Sequence, residues 1–261
     1  MILPLLLLLA AAAPTSTGPA DTRSEKSRFD ACVHLSDSDP AAAAQSAADW
    51  ARTGGGVPAA QCLGIARSAA GDWTGAVDAF STAATLADQI HNAAEAANLW
   101  VSAGDAALAG GDAAKARTLL TTAIATPGFA EQLKGEAYLD RARADVAAGE
   151  LIVARGDMDE AVKLVPADPM AWLLSATLAR RMNDQPRAVA DIKQALDRAP
   201  DAADVLTEAG TIAAAGGDTG AARSQWARAI AAEPGSDAAA QARALLVKTG
   251  GLPTATPAAG R

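Results

Sequence analysis

Apolar residues along this chain recur at intervals of four and three rather than two. Ala154, Met158 and Ala161 form one triplet, which Ala188, Ile192 and Ala195 and then Ala222, Trp226 and Ala229 repeat. That spacing sets three side chains on one face of a helix, whereas a strand would alternate. Each triplet lies 34 residues from the next and is followed at the same offset by a proline: Pro166, Pro200 and Pro234. Proline breaks a helix interior but suits the turn that opens a new helix. The pattern predicts helices interrupted on a fixed beat, and such a beat governs the whole fold.

Frames of 34 residues start at Gly135, Pro169 and Ala203, and two more start upstream at Val57 and Ala97. The upstream frames need insertions at 91–96 (HNAAEA) and 131–134 (EQLK), which lengthen connections and extend helices. Frame positions 20 and 27 are then alanine in all five, as Ala76, Ala116, Ala154, Ala188 and Ala222, and Ala83, Ala123, Ala161, Ala195 and Ala229. Position 24 is large: Phe80, Leu120, Met158, Ile192 and Trp226. Position 8 is small: Gly64, Gly104, Ala142, Ala176 and Gly210. A turn falls at positions 15–16, as Gly71-Asp72, Gly111-Asp112, Gly149-Glu150, Asn183-Asp184 and Gly217-Asp218. Trp100, Tyr138 and Trp172 occupy position 4.

With these residues the stretch 57–236 resembles the tetratricopeptide repeat family. The resemblance implies an all-α, right-handed solenoid of stacked antiparallel helix pairs, with repeats at 57–90, 97–130, 135–168, 169–202 and 203–236. The residues fit this reading on physical grounds. Small side chains let helix backbones approach, the large residue inserts between them, and glycine or asparagine accepts the left-handed angles of a helix end. One pair cannot bury its apolar face alone and must stack on its neighbours. Gly156 is the irregularity: RGDMDEAV reads either as part of a regular second helix, which we favour, or as a turn between a long and a short helix. Residues 24–56 read as an N-terminal capping helix pair, with Ser38-Asp39 capping a helix that opens at Pro40. Residues 237–249 read as a C-terminal capping helix, and 250–261 as a disordered tail.

The first residues stand apart. MILPLLLLLAAAA is short for a bilayer span, and it reads as the centre of a signal peptide over 1–20, cleaved between 12 and 20. No lysine or arginine precedes it, a departure from the usual signal. Export predicts a periplasmic or secreted protein with no stable membrane insertion once the signal is removed; the alternative is a cytoplasmic adaptor. In an exported chain the two cysteines, Cys32 and Cys62, pair as a disulfide; in the cytosol they are free thiols. A net charge of −8 without basic clusters excludes a nucleic-acid surface.

Candidate chemistry is sparse. Cys32, His34, Cys62 and His91 could supply ligands for a small metal- or thiol-dependent protein, but CVH lacks the usual ligand spacing. The glycine triplet at 54–56 follows a helix and carries no Lys-Ser or Lys-Thr, so it terminates a helix rather than cradling phosphate. The acidic pairs in DSD (37–39) and DMD (157–159) read as caps and solvated faces, and the five tryptophans as packing residues. No nucleophile has an identifiable base. The reading is therefore a non-catalytic protein with no cofactor and no metal.

The resemblance further implies a concave groove lined by first-helix positions 2, 5, 9 and 12. Here these include Asn98, Asp105, Glu136, Leu139, Arg143, Leu173, Thr177, Arg180, Thr207 and Thr211. Arg143 and Arg180, with Arg181 adjacent, could grip a peptide carboxylate; the competing reading pairs them with Asp140, Asp145 or Asp184 on a solvated surface. The lysine and asparagine set with which the family clamps chaperone tails is missing as a group. The expected function is a protein- or peptide-binding scaffold or adaptor of the periplasm or cell envelope, with a partner of unknown identity.

Overall fold

A computed structural model describes residues 22–250. The signal reading at 1–20 and almost all of the tail reading lie outside the described residues. These contain helices and no strand: α1 (Thr22–Ser38), α2 (Pro40–Arg52), α3 (Gly56–Ala69), α4 (Trp73–Gln89), α5 (Ala93–Ala109), α6 (Ala113–Ala125), α7 (Glu131–Ala147), α8 (Leu151–Leu164), α9 (Pro169–Arg181), α10 (Gln185–Arg198), α11 (Ala203–Ala215), α12 (Thr219–Ala232) and α13 (Asp237–Lys248). Each helix packs on its predecessor and its successor, and α5, α7, α9, α11 and α13 also touch in sequence. The result is a solenoid of helix pairs.

The turns show how the chain reverses. Gly71, Gly111, Gly149, Asn183 and Gly217 have φ between 61° and 87°, and the residue after each donates its N–H to a carbonyl five residues back. Asp72, Asp112, Asp184 and Asp218 then cap the following helix through a side-chain oxygen. His91-Asn92 is a further copy of this device: His91 has φ 59°, Asn92 N–H bonds Ala87 O, and the Asn92 side chain accepts from Glu95 N. Residues 93–96 and 131–134 are the opening turns of α5 and α7. Gly156 lies within an uninterrupted α8. At the N-terminal pair Asp39 alone caps α2, because Ser38 still belongs to α1.

The position-20 and position-27 alanines explain how closely the helices approach. Ala76, Ala83, Ala116, Ala123, Ala154, Ala161, Ala188, Ala195, Ala222 and Ala229 are all completely buried. Across each pair the large residue of the second helix sits on the small residue of the first. A Cβ added to Gly64 would fall 2.6 Å from the Phe80 ring, one on Gly104 2.6 Å from Leu120, and one on Gly210 2.5 Å from Trp226 Nε1. Where the small residue is alanine, as at Ala142 and Ala176, the matching positions hold the aliphatic Met158 and Ile192. Gly210→Ala is therefore expected to cost about 1–3 kcal/mol by overpacking. In a double-mutant cycle followed by urea denaturation, Trp226→Met should cost less in the Gly210→Ala background than in the wild type.

The prolines on the 34-residue beat do more than end helices. Arg198 Nε donates to Pro166 O at 2.6 Å, Arg228 to Pro200 O at 2.9 Å and Arg243 to Pro234 O at 2.6 Å. Trp172 Nε1 also reaches Pro166 O, at 2.9 Å. A carbonyl in the turn after each second helix is thus satisfied by a side chain from the next repeat or, at Pro234, from α13.

Candidate functional site

The first helices α5, α7 and α9 stand side by side, and two adjoining hollows run along their common wall. One, of about 500 Å³, is lined by Asp105, Leu108, Ala109, Asp140, Arg143 and Ala147. The other, of about 510 Å³, has Met158, Val146, Leu174 and Leu178 with Arg143, Ala147, Thr177 and Arg181. Arg143 and Ala147 border both, which makes them one trough with an acidic end and a basic, apolar end.

The ten groove residues expected from sequence divide by placement. Asn98, Asp105 and Arg143 are exposed, and Glu136, Thr177, Arg180 and Thr211 half-buried. Leu139, Leu173 and Thr207 are closed to solvent. The leucines belong to the interhelical cores, while Thr207 Oγ1 donates to Ala238 O at 3.1 Å and so ties α11 to α13. Thr177 and Thr211 spend their hydroxyls on backbone carbonyls one turn back, at Leu173 and Thr207. Arg180 is engaged by Glu208 of α11, with contacts of 2.6 and 3.2 Å. Sequence reasoning missed that partner because the two residues are 28 apart. Arg143 donates to Asp140 at 2.9 Å, the pairing offered by the competing reading. The guanidinium that lines the trough without an ion pair among the described residues is Arg181.

Asp105 is the perturbed group of the trough. It is exposed as a residue, but it lines the 500 Å³ hollow, where its carboxyl is partly shielded from water. That burial pushes its carboxyl up to about 7, with the Asp140 charge and a hydrogen bond to Asp140 adding to the rise and Arg143 opposing it.

Away from the trough, an ionic ladder crosses five helices. Arg117 of α6 meets Asp145 of α7 at 3.1 Å, and Arg141 of α7 grips Asp157 of α8 through two contacts of 2.7 Å. Arg155 reaches Asp159 at 3.0 Å and Ser175 Oγ at 2.8 Å, and Ser175 Oγ in turn donates to Asp191. Arg187 joins Asp191 at 2.8 Å and Asp159 at 2.7 Å. Asp157 corrects the sequence reading of DMD as a solvated face: it is buried, because its partner comes from the preceding helix. Asp145 has no exposed surface, and burial raises its carboxyl pKa against the opposing pull of Arg117.

At the N-terminal end Cys32 and Cys62 lie at disulfide distance, with Cα atoms 6.3 Å apart, and both are buried beside Ala47. Their pairing occupies the two sulfurs that the metal or thiol alternative would use. His34 and His91 are exposed, and the described residues hold no cluster of three or more His, Cys, Asp or Glu suited to a metal ion.

A profile of the tetratricopeptide repeat matches residues 63–130 and 173–239, more than half of the chain. The chain belongs to the tetratricopeptide repeat family. Among solved structures, this tetratricopeptide protein is similar to PilF of Pseudomonas aeruginosa, at 13% identity and a TM-score of 0.64, over 85% of this chain and 99% of PilF. It is similar to PilW, a type IV pilus biogenesis factor, at 18% identity and a TM-score of 0.67, over 84% of this chain and 97% of PilW. YrrB, a tetratricopeptide protein with an unusual peptide-binding site, aligns at 17% identity and a TM-score of 0.53, over 71% of this chain and 91% of YrrB. At these identities the likeness is one of fold. No curated protein matches the sequence. No helix among the described residues is long and apolar enough to cross a membrane.

Proposed function

We propose that this tetratricopeptide protein is an exported, non-catalytic adaptor of the periplasm or cell envelope whose α5–α7–α9 trough holds a peptide segment of a protein partner. The observation that carries the reading is the trough itself: an apolar floor of Val146, Leu174 and Leu178 with an uncommitted cation, Arg181, at its rim. Apolar floor with few polar groups is the usual chemistry of a peptide or ligand cleft. The family and the peptide-binding site of YrrB support it, and the pilus role of PilW agrees with an envelope setting. The cysteine pair at disulfide distance favours an oxidising compartment.

Crosslinking in envelope extracts tests the groove. A partner enriched by wild type and by the Arg228→Glu control should be lost by Arg143→Glu/Arg181→Glu; equal enrichment by all three overturns the assignment. Intact mass of protein recovered from cells tests export, because a chain beginning between residues 13 and 21 is expected and an intact N-terminus contradicts it.

A further inference from the structure

The two hollows of the trough hold unspent charges of opposite sign. Asp105 of α5 borders the first and Arg181 of α9 the second, and among the described residues neither has a salt-bridge partner. The charges around them are committed: Arg180 holds Glu208, Arg141 holds Asp157, and Asp184 spends an oxygen on the N-cap of α10. Arg143 stands where the hollows join, but Asp140 at 2.9 Å makes that pair neutral as a whole, so it favours neither sign. Between the two ends the floor is apolar, from Leu108 through Ala147 to Leu174 and Leu178.

A surface of this make-up discriminates by charge order. A segment with two acids satisfies Arg181 but meets repulsion at Asp105, and one with two bases does the reverse. Spacing discriminates as well. Neighbouring helices lie about 10 Å apart and an extended chain advances about 3.3 Å per residue, so about three residues carry a ligand from one hollow to the next.

We infer that the trough selects an extended protein segment of dipolar chemistry: a lysine or arginine seated at Asp105, a carboxylate about three residues away at Arg181, and apolar side chains between them. This rests on the trough as the binding surface and names what that surface chooses. Asp105, with its carboxyl lifted to about 7, is driven to ionise by a cation beside it. The charges already acting on it are those of Asp140 and Arg143 of α7. Asp78 of α4 and Asp112 and Lys115 at the start of α6 line a separate hollow, and Arg117 of α6 is paired with Asp145. The Asp105 contribution to binding is therefore present above about 7 and lost as pH falls.

The test titrates capped peptides into the full-length chain and follows its amide chemical shifts. The probes are Gly-Lys-Leu-Leu-Glu-Gly, its two versions with glutamine in place of the lysine or of the glutamate, and the doubly neutral peptide. The dipolar peptide should bind tightest, with shifts confined to α5, α7 and α9, and each neutralised charge should weaken it about fivefold, as for an exposed ion pair. Asp105→Asn should erase the preference for lysine over glutamine, together with its decline as pH falls. Arg181→Gln should erase the preference for glutamate, and Arg181→Glu should turn it toward Gly-Lys-Leu-Leu-Lys-Gly. Both side chains are exposed, so these substitutions leave the fold in place. Equal affinity for the four peptides, with shifts in the trough, overturns the dipolar selection and leaves the trough as a peptide surface. Absence of shifts in the trough overturns the selection too, and the crosslinking comparison with Arg143→Glu/Arg181→Glu then judges the trough separately.

Discussion

Asp157→Ala should lower the stability of the solenoid by about 3 kcal/mol, read as a fall in the urea midpoint. Its carboxylate is 10% exposed and bonded at both oxygens by Arg141, itself 19% exposed. Removing the acid strands a guanidinium between α7 and α8, where only Thr121 Oγ1 at 3.1 Å still accepts from it. Replacing both partners with apolar residues, as Arg141→Met/Asp157→Leu, should recover most of the loss, because the cost lies in the orphaned charge rather than in the missing attraction. The contrast is Lys193–Asp197, with side chains 71% and 54% exposed, where Asp197→Ala should change stability by less than about 1 kcal/mol. Equal effects at the two sites would contradict the structural role of the ladder. A drop in the urea slope for Asp157→Ala would show that the array has split into separately melting blocks.

Breaking the Cys32–Cys62 link should release about 3–4 kcal/mol of constraint, estimated from closure of a loop of about thirty residues. The loss should be local. α1 packs chiefly on α2 and α3, so it lacks the two-sided support of the central repeats. After reduction, hydrogen exchange should rise in α1 and α2 while α7 to α12 keep their protection. Replacing both cysteines with alanine should do the same without reductant. An identical exchange map in oxidised and reduced protein would show that the cap is held by packing around Phe29, Ala47 and Leu63 instead.

What could be read from sequence, and what could not, follows from the distance over which each contact acts. The small residues Gly64, Gly104 and Gly210 and the large residues Phe80, Leu120 and Trp226 were legible because each set holds a fixed place in the repeat frame, while the structure shows that each small residue meets the large one of its own hairpin. The His91-Asn92 turn was hidden by chemistry: histidine in a left-handed conformation does not announce a turn as Gly71 or Gly111 does. The groove rule named residues that lie on α5, α7, α9 and α11, but it could not tell that Leu139 and Leu173 roll into the cores or that Glu208 takes Arg180.

The chain's own pattern determined that it is helical, where its helices break and that the pairs must stack, because spacing, turn residues and prolines act within a few residues of backbone. Tertiary structure alone decided which charges are spent and which remain. Arg141 finds Asp157 and Arg180 finds Glu208 across separate helices, while Arg181 is left facing the trough and Asp105 and Asp140 border one hollow. Those outcomes depend on the rotation and spacing of one helix against another, and burial then magnifies each electrostatic consequence; neither is encoded in the order of residues along a single helix.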